Sequence, residues 1–297
     1  MTRSIERFPA TVLDDRASLA KLVATDQPFI VEGALRGELA PPRASIERFV
    51  EAYGDHVVRV SSRTFYLPLS TEQCRVHDYV RDVERVPARL HSSDPPIPYV
   101  FHDDIGEDAF RQGSGATETP FGIAELCPLP VAFSDDLWRG KRLAAIRIGL
   151  GPRFSHAGLH THGVAINLLA FGSKRWFLYP SRMGERQLKR MFALIRGARV
   201  PSPQLFWLEH FHPLAMAGEG DIAPALRDAA EALAARGLFS IPPTETWSEP
   251  LHADDLRGIE ARQEAGDLVY VPEHWPHAII NEAWSLSVIY ELVLAGK

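Results

Sequence analysis

Three histidines carry the chemistry this chain is equipped to do. His160 and His162 stand two apart in Gly158-Leu159-His160-Thr161-His162-Gly163, and His277 closes Pro272-Glu273-His274-Trp275-Pro276-His277. Along an extended strand, side chains two residues apart leave the same face, so the first pair is able to aim two imidazoles at one point without bending the backbone. A third imidazole from a neighbouring strand would complete a cage of three nitrogens. Imidazole suits zinc, copper, iron and nickel. Three protein ligands with vacant coordination positions describe a reactive centre, whereas a structural site usually closes its shell with four. The expectation is a metal-dependent enzyme.

The whole chain sets bounds on that chemistry. With 297 residues it is long enough for a substantial core, and a net charge of -6 gives no global electrostatic footprint for nucleic acid or an anionic membrane surface. Cys74 and Cys127 lie far apart and in no Cys-x-x-Cys spacing, so neither a disulfide framework nor a thiolate metal site is expected, and a reducing, cytoplasmic setting fits best. The N-terminal residues form no apolar signal region, and no stretch approaches the roughly 18 uncharged apolar residues of a membrane span. A soluble protein is expected.

The elements that must position the histidines are legible as periodicities. Leu13, Leu19, Leu22 and Val23 recur at helical spacing behind Asp14 and Asp15 as N-cap candidates, and Ser45 to Tyr53 repeats the pattern with Gly54 placed as terminator. Phe29-Ile30-Val31 and Val57 to Ser61 read as strands, Thr71 to Val83 as a helix, and Ser92 to Pro130, dense in Pro, Gly and Asp, as mostly loop. Leu143 to Ile148, Ala165 to Phe171, Arg175 to Tyr179, Leu268 to Val271 and Ser285 to Leu292 read as core strands, with Gly172-Ser173 and Gly266-Asp267 as hairpin turns. Between them, Gly184 to Ile259 carries helical signal: Leu188, Met191, Phe192 and Ile195 share one face, and Ala225 to Leu238 is an Ala-rich amphipathic run. The basic residues from Arg182 to Arg199 are either a solvated helix face or a contact for an acidic partner.

Two longer runs carry a resemblance. Residues 158 to 180, from Gly158-Leu159-His160-Thr161-His162 through Gly172-Ser173-Lys174-Arg175-Trp176, and residues 266 to 281, from Gly266-Asp267 through His277 to Asn281, resemble the JmjC or cupin-like (cupin-8 type) group of Fe(II) and 2-oxoglutarate oxygenases. Pro28-Phe29-Ile30-Val31 and Tyr53-Gly54-Asp55 are similar in layout too, so the likeness covers most of the chain outside the helical stretch. It implies a mainly β fold with α additions. Its core would be a double-stranded β-helix (jelly-roll/cupin), with N-terminal helices and a helical insertion. The chain would be one domain, 1–297: an N-terminal α/β part at 1–140, metal-binding barrel strands at 141–183 and 260–297, and the insertion at 184–259.

By the same resemblance His160 and His277 match the family's metal-binding histidines, and Lys174 the lysine that pairs the far carboxylate of 2-oxoglutarate. His162 stands where the family has a carboxylate. Neutral imidazole there leaves a divalent metal with one more unit of uncompensated positive charge, which favours anionic ligands and makes copper, nickel or zinc more competitive with iron. Asn167 either hydrogen-bonds the cosubstrate or bridges strands, and Lys174 is otherwise an outward strand residue beside Arg175. Trp176, Trp275 and Tyr179 read as barrel packing, His274 as an exposed turn residue, His156 as an outer-shell candidate and Asn281 as a cap of the turn after the His277 strand. Glu209, His210 and His212 form either a second metal site or a local surface cluster. The implied activity is hydroxylation of a peptide or protein side chain, or of a small natural product, with 2-oxoglutarate and oxygen. A non-catalytic metal-binding interaction module and a 2-oxoglutarate-independent three-histidine dioxygenase are the alternatives. Nucleic acid and membrane are not expected partners, and a homodimer is possible on the family pattern.

Overall fold

The computed structural model describes residues 4–35, 44–61, 71–86, 91–94, 96–103, 127–133, 141–181, 185–242, 247 and 250–294. The N-terminal half opens with β1 (Glu6–Pro9), a 3-10 turn (Ala10–Asp14), α1 (Arg16–Ala24), β2 (Phe29–Glu32) and α2 (Ile46–Tyr53). Asp15 caps α1 by accepting from the backbone N–H of Ala17 and Ser18, and Ser45 caps α2 by accepting from Arg48. Gly54 follows α2 but stays right-handed, at φ -55°. β3 (Val57–Ser61), β4 (Thr71–Arg75), α3 (Val76–Val83) and β5 (Tyr99–Asp103) complete this half. Two sequence expectations are corrected here. The helix expected over Thr71 to Val83 is a strand for its first five residues, because Val58 pairs with Cys74 and Arg59 with Gln73 along β3. The stretch from Ser92 to Pro130 contains the strand β5, paired to β3 and to the first barrel strand, and most of the remainder lies outside the described residues.

The second half supplies β6 (Lys141–Gly151), β7 (His156–His160), β8 (Val164–Phe171) and β9 (Ser173–Leu178). Five helices follow among the described residues: α4 (Glu185–Gly197), α5 (Pro203–His210), α6 (His212–Ala217), α7 (Ala223–Ala235) and α8 (Ala253–Leu256). β10 (Ile259–Glu264), β11 (Leu268–Val271), β12 (His277–Asn281) and β13 (Ser285–Leu294) close the chain. The major sheet runs β1-β2-β11-β8-β13-β6-β5-β3-β4 and the minor sheet β10-β9-β12-β7. From β6 onward the chain alternates between them, except that β9 and β10, on either side of the helices, both lie in the minor sheet; the four central strands β11-β8-β13-β6 thus face the four of the minor sheet. That is the jelly-roll arrangement of a double-stranded β-helix.

Turns between successive strands therefore cross from sheet to sheet. Gly172-Ser173 and Gly266-Asp267 are corners rather than the expected hairpins: β8 pairs with β11 and β13, while β9 pairs with β10 and β12. Gly172 has φ +88°, and a Cβ on it would run into the Trp284 carbonyl. Only glycine takes such a corner without strain.

Three apolar layers hold the sheets. Leu19, Phe49, Val76 and Tyr79 from α1 to α3 pack on the outer face of the major sheet against Ile148, Ile166, Leu168 and Val288. Phe206, Trp207, Phe211 and Leu226 from α5 to α7 cover the outer face of the minor sheet through Leu159, Phe177, Ala278 and Ile280. Between the sheets lie Ala165, Trp176, Leu178, Val269, Ile279 and Ile289. β8, sandwiched on both faces, is buried at all eight positions and reads as a continuous apolar run. Asp267 fastens the N-terminal strands to this core, binding the Arg7 guanidinium at 3.0 Å and accepting from the Gly33 N–H at 3.1 Å.

Candidate metal centre

His160 is the last residue of β7 and His277 the first of β12, paired across the minor sheet. His162 lies beyond β7, in the connection that crosses to β8, so the pair does not share one continuous strand as the spacing suggested. The His274 N–H donates to the His162 carbonyl at 3.2 Å, tying the two histidine loops together. Ring centroids are 4.2 Å apart for His160 and His277, 4.9 Å for His162 and His277, and 5.2 Å for His160 and His162. One nitrogen from each lies within 4.8 Å of the other two. All three histidines are positioned for metal binding.

The second nitrogen of each ring explains the orientation. Nδ1 faces the Gly158 carbonyl at 2.6 Å in His160, the Gly163 carbonyl at 2.8 Å in His162 and the Trp275 carbonyl at 2.8 Å in His277. A carbonyl only accepts, so each Nδ1 carries the proton and each Nε2 keeps its lone pair. Burial, with mutual repulsion among the rings, holds them neutral: His160 is pulled down to about 3, His162 by burial to about 4, and His277 well below the usual imidazole value. Three neutral nitrogen donors with fixed tautomers fit a divalent transition metal.

Further inside the barrel, Lys174 on β9 is completely buried. Its Nζ donates to Ser287 Oγ at 2.6 Å, and no carboxylate pairs with it among the described residues. Burial brings its pKa down to about 7. Tyr99, also buried, bonds Ser287, and Gly149 makes room for both: a Cβ there would collide with the Tyr99 hydroxyl and touch Ser287. This is a hydroxyl-lined cradle around an ammonium, not an outward strand position.

The remaining candidates divide. Gln263 Nε2 donates to the Asn167 side-chain oxygen at 3.3 Å and Trp176 Nε1 donates to Gln263 at 2.9 Å, so Asn167 does bridge strands on the barrel's inner face. Trp176 packs 5.8 Å from His277, ring to ring. Trp275 is buried, donating to the Asp26 carbonyl. Tyr179 packs outside the barrel, in the core beneath the helices, where its hydroxyl meets His212 Nδ1 at 3.0 Å. His156 is buried away from the three-nitrogen cluster, its Nδ1 toward the Phe154 carbonyl. Asn281 donates to Ser155 Oγ at 2.8 Å, bracing the β6 to β7 turn. His274 is exposed in a turn at φ +64°. Glu209, His210 and His212 share no centre: Glu209 binds Ser92, whereas His212 turns inward to Tyr179 and Glu260.

Four residues at the site went unnoticed in the sequence: Tyr99, Arg147, Ser287 and Glu291. Tyr99 falls in the Pro-, Gly- and Asp-rich stretch that reads as loop. The others carry a signal, a polar residue at alternate positions of an apolar strand, as in Ser285, Ser287 and Glu291 of β13. Glu291 is 8% exposed, ion-paired with Arg147, and 3.9 Å from Nδ1 of His162.

No protein-family model matches the chain. Curated relatives do. JmjC domain-containing protein 8 of Homo sapiens is 23% identical over 272 residues, covering 89% of this chain and 75% of that protein. The rat protein of the same name is 22% identical over 259 residues, covering 86% of this chain and 70% of that protein. The bifunctional arginine demethylase and lysyl-hydroxylase psr-1 of Caenorhabditis elegans is 21% identical over 270 residues, covering 89% of this chain and 54% of the worm protein. Relatives similar along most of the chain, together with the two-sheet β architecture, support a likeness to the JmjC/cupin family.

Proposed function

We propose that the chain is a mononuclear non-haem oxygenase of the Fe(II) and 2-oxoglutarate type. His160, His162 and His277 hold the metal through Nε2. The reading rests above all on Lys174, a buried ammonium without an anionic partner among the described residues, inside the barrel whose mouth carries the three imidazoles. A buried cation is costly unless something compensates it, and the far carboxylate of 2-oxoglutarate would do so. On binding, that carboxylate also restores the Lys174 charge, since an adjacent anion raises the pKa that burial depresses.

Iron, when bound with 2-oxoglutarate and oxygen, supplies the oxidising power to hydroxylate an unactivated C–H bond. The chain's own residues do the rest. The Nδ1-to-carbonyl bonds hold three lone pairs toward one point. Ser287 and Tyr99 orient Lys174, and Asn167, fixed by Gln263, offers the cosubstrate a further polar contact. Trp176 and Ile289 line a dry interior. His162 in the carboxylate position favours anionic ligands at the metal and leaves copper, nickel and zinc as competitors for iron. The substrate we favour is a protein side chain, because one relative's name is that of an arginine demethylase and lysyl-hydroxylase.

The test is direct. Anaerobically prepared protein, given Fe(II), 2-oxoglutarate and oxygen, is expected to form succinate, and Lys174→Ala to abolish it. Oxygen uptake without succinate would replace this reading by a 2-oxoglutarate-independent three-histidine dioxygenase. Neither activity over a broad peptide panel would leave a metal-binding interaction module, the reading that His162 favours.

A further inference from the structure

We infer that Glu291 returns to the three-imidazole centre the negative charge its ligand set lacks, and that Arg147 holds it in place for that task. The inference rests on the metal-binding reading of His160, His162 and His277. Glu291 is nearly buried on the inner face of β13, its Oε1 3.9 Å from Nδ1 of His162, the ring edge opposite the nitrogen that faces the metal. From behind the ring, an outer carboxylate acts on a ligand histidine through its field, making the ring a better donor to a cation. The Nδ1 proton itself goes to the Gly163 carbonyl, so Glu291 acts by charge and not by a hydrogen bond.

Arg147 fixes the carboxylate from β6, its own guanidinium 5.5 Å over the Phe101 ring. Its charge works the other way, because a guanidinium paired to Glu291 beside His162 repels a cation held by the same rings. An ion pair at this depth gains little over well-packed apolar residues, so fold stability is a weak reason for its presence. With respect to a metal, therefore, the two members of one pair have opposite effects. A merely structural pair has no such asymmetry.

Co(II) titration of the full-length apo protein at pH 8, read from the d–d absorption bands and by competition with a chromophoric chelator, tests this. Glu291→Gln is expected to weaken Co(II) binding by roughly 10-fold through the lost charge alone, Glu291→Asp to recover most of the loss, and Arg147→Met to tighten binding. Should Arg147→Met fail to fold, the contrast between Gln and Asp at position 291 decides alone. Affinity that falls together in both single variants, in step with their urea stability, overturns the inference, as does affinity that moves in neither. Failure of the unaltered protein to bind Co(II) is a different outcome, because it removes the metal centre itself.

Discussion

Lys174→Met should make this protein more stable at neutral pH while disabling it. Burial alone lowers the lysine from 10.5 to about 7. At 1.36 kcal/mol per pKa unit, keeping that ammonium charged inside the barrel costs roughly 5 kcal/mol. The sign follows from which state binds the proton. Between about pH 7 and 10.5 the unfolded lysine keeps its proton and the folded one has released it, so stability rises with pH across that window; below about 7 both are charged and the full cost is present. Methionine is spared this cost but loses the bond to Ser287, worth about 1 kcal/mol. Urea unfolding should thus find the variant more stable at pH 7 by a few kcal/mol, with the gap narrowing by roughly 2 kcal/mol at pH 9. Adding 2-oxoglutarate with Mn(II) should raise the unfolding midpoint of the unaltered protein and leave the variant unmoved. A variant destabilised equally at both pH values would refute the argument, since Lys174 would then be a packing residue with no electrostatic cost to remove.

Other outcomes follow from the same geometry. His277→Ala should abolish the thermal shift given by divalent metal, which at a hundredfold excess over Kd amounts to about 2.7 kcal/mol in the unaltered protein. The apo protein should lose stability as pH falls from 6.5 toward 4, because unfolded imidazoles take up protons that His160, His162 and His277 refuse; with three such groups the slope approaches about 4 kcal/mol per pH unit. An acid titration of the apo protein followed by urea unfolding measures that slope, and a flat profile would contradict the depressed values. Asp267→Ala, which strips the Arg7 guanidinium and the Gly33 and Glu264 N–H groups of their acceptor, should cost about 3 kcal/mol in the same denaturation assay.

The sequence revealed the local chemistry of the metal site more readily than its enclosure. His160, His162, His277 and Lys174 stand in or beside recognisable motifs, and β8 and β11 are apolar runs that could hardly be anything but buried strands. The sheet to which each strand belongs was not legible, because corner and hairpin turns use the same glycines. Gly172-Ser173 and Gly266-Asp267 look like hairpins until pairing is known. β4 was hidden because its helix-like polar residues are held extended by β3, a contact across more than ten residues of chain. Arg147 and Glu291 were hidden for the same reason: each is a charge set among apolar neighbours in its strand, and only the fold brings them beside His162.

β9 presents Lys174, Trp176 and Leu178 to the barrel interior and Arg175 and Phe177 to the helices outside. Because strand side chains alternate, a slip of one position against β12 would trade the two sets. The ammonium would leave the interior for the helical layer, Ser173 or Arg175 would take its place, and both layers would be spoiled at once. Alternative alignments of this strand are thus penalised from two sides, which makes the depth of Lys174 one of the most firmly determined coordinates in the molecule.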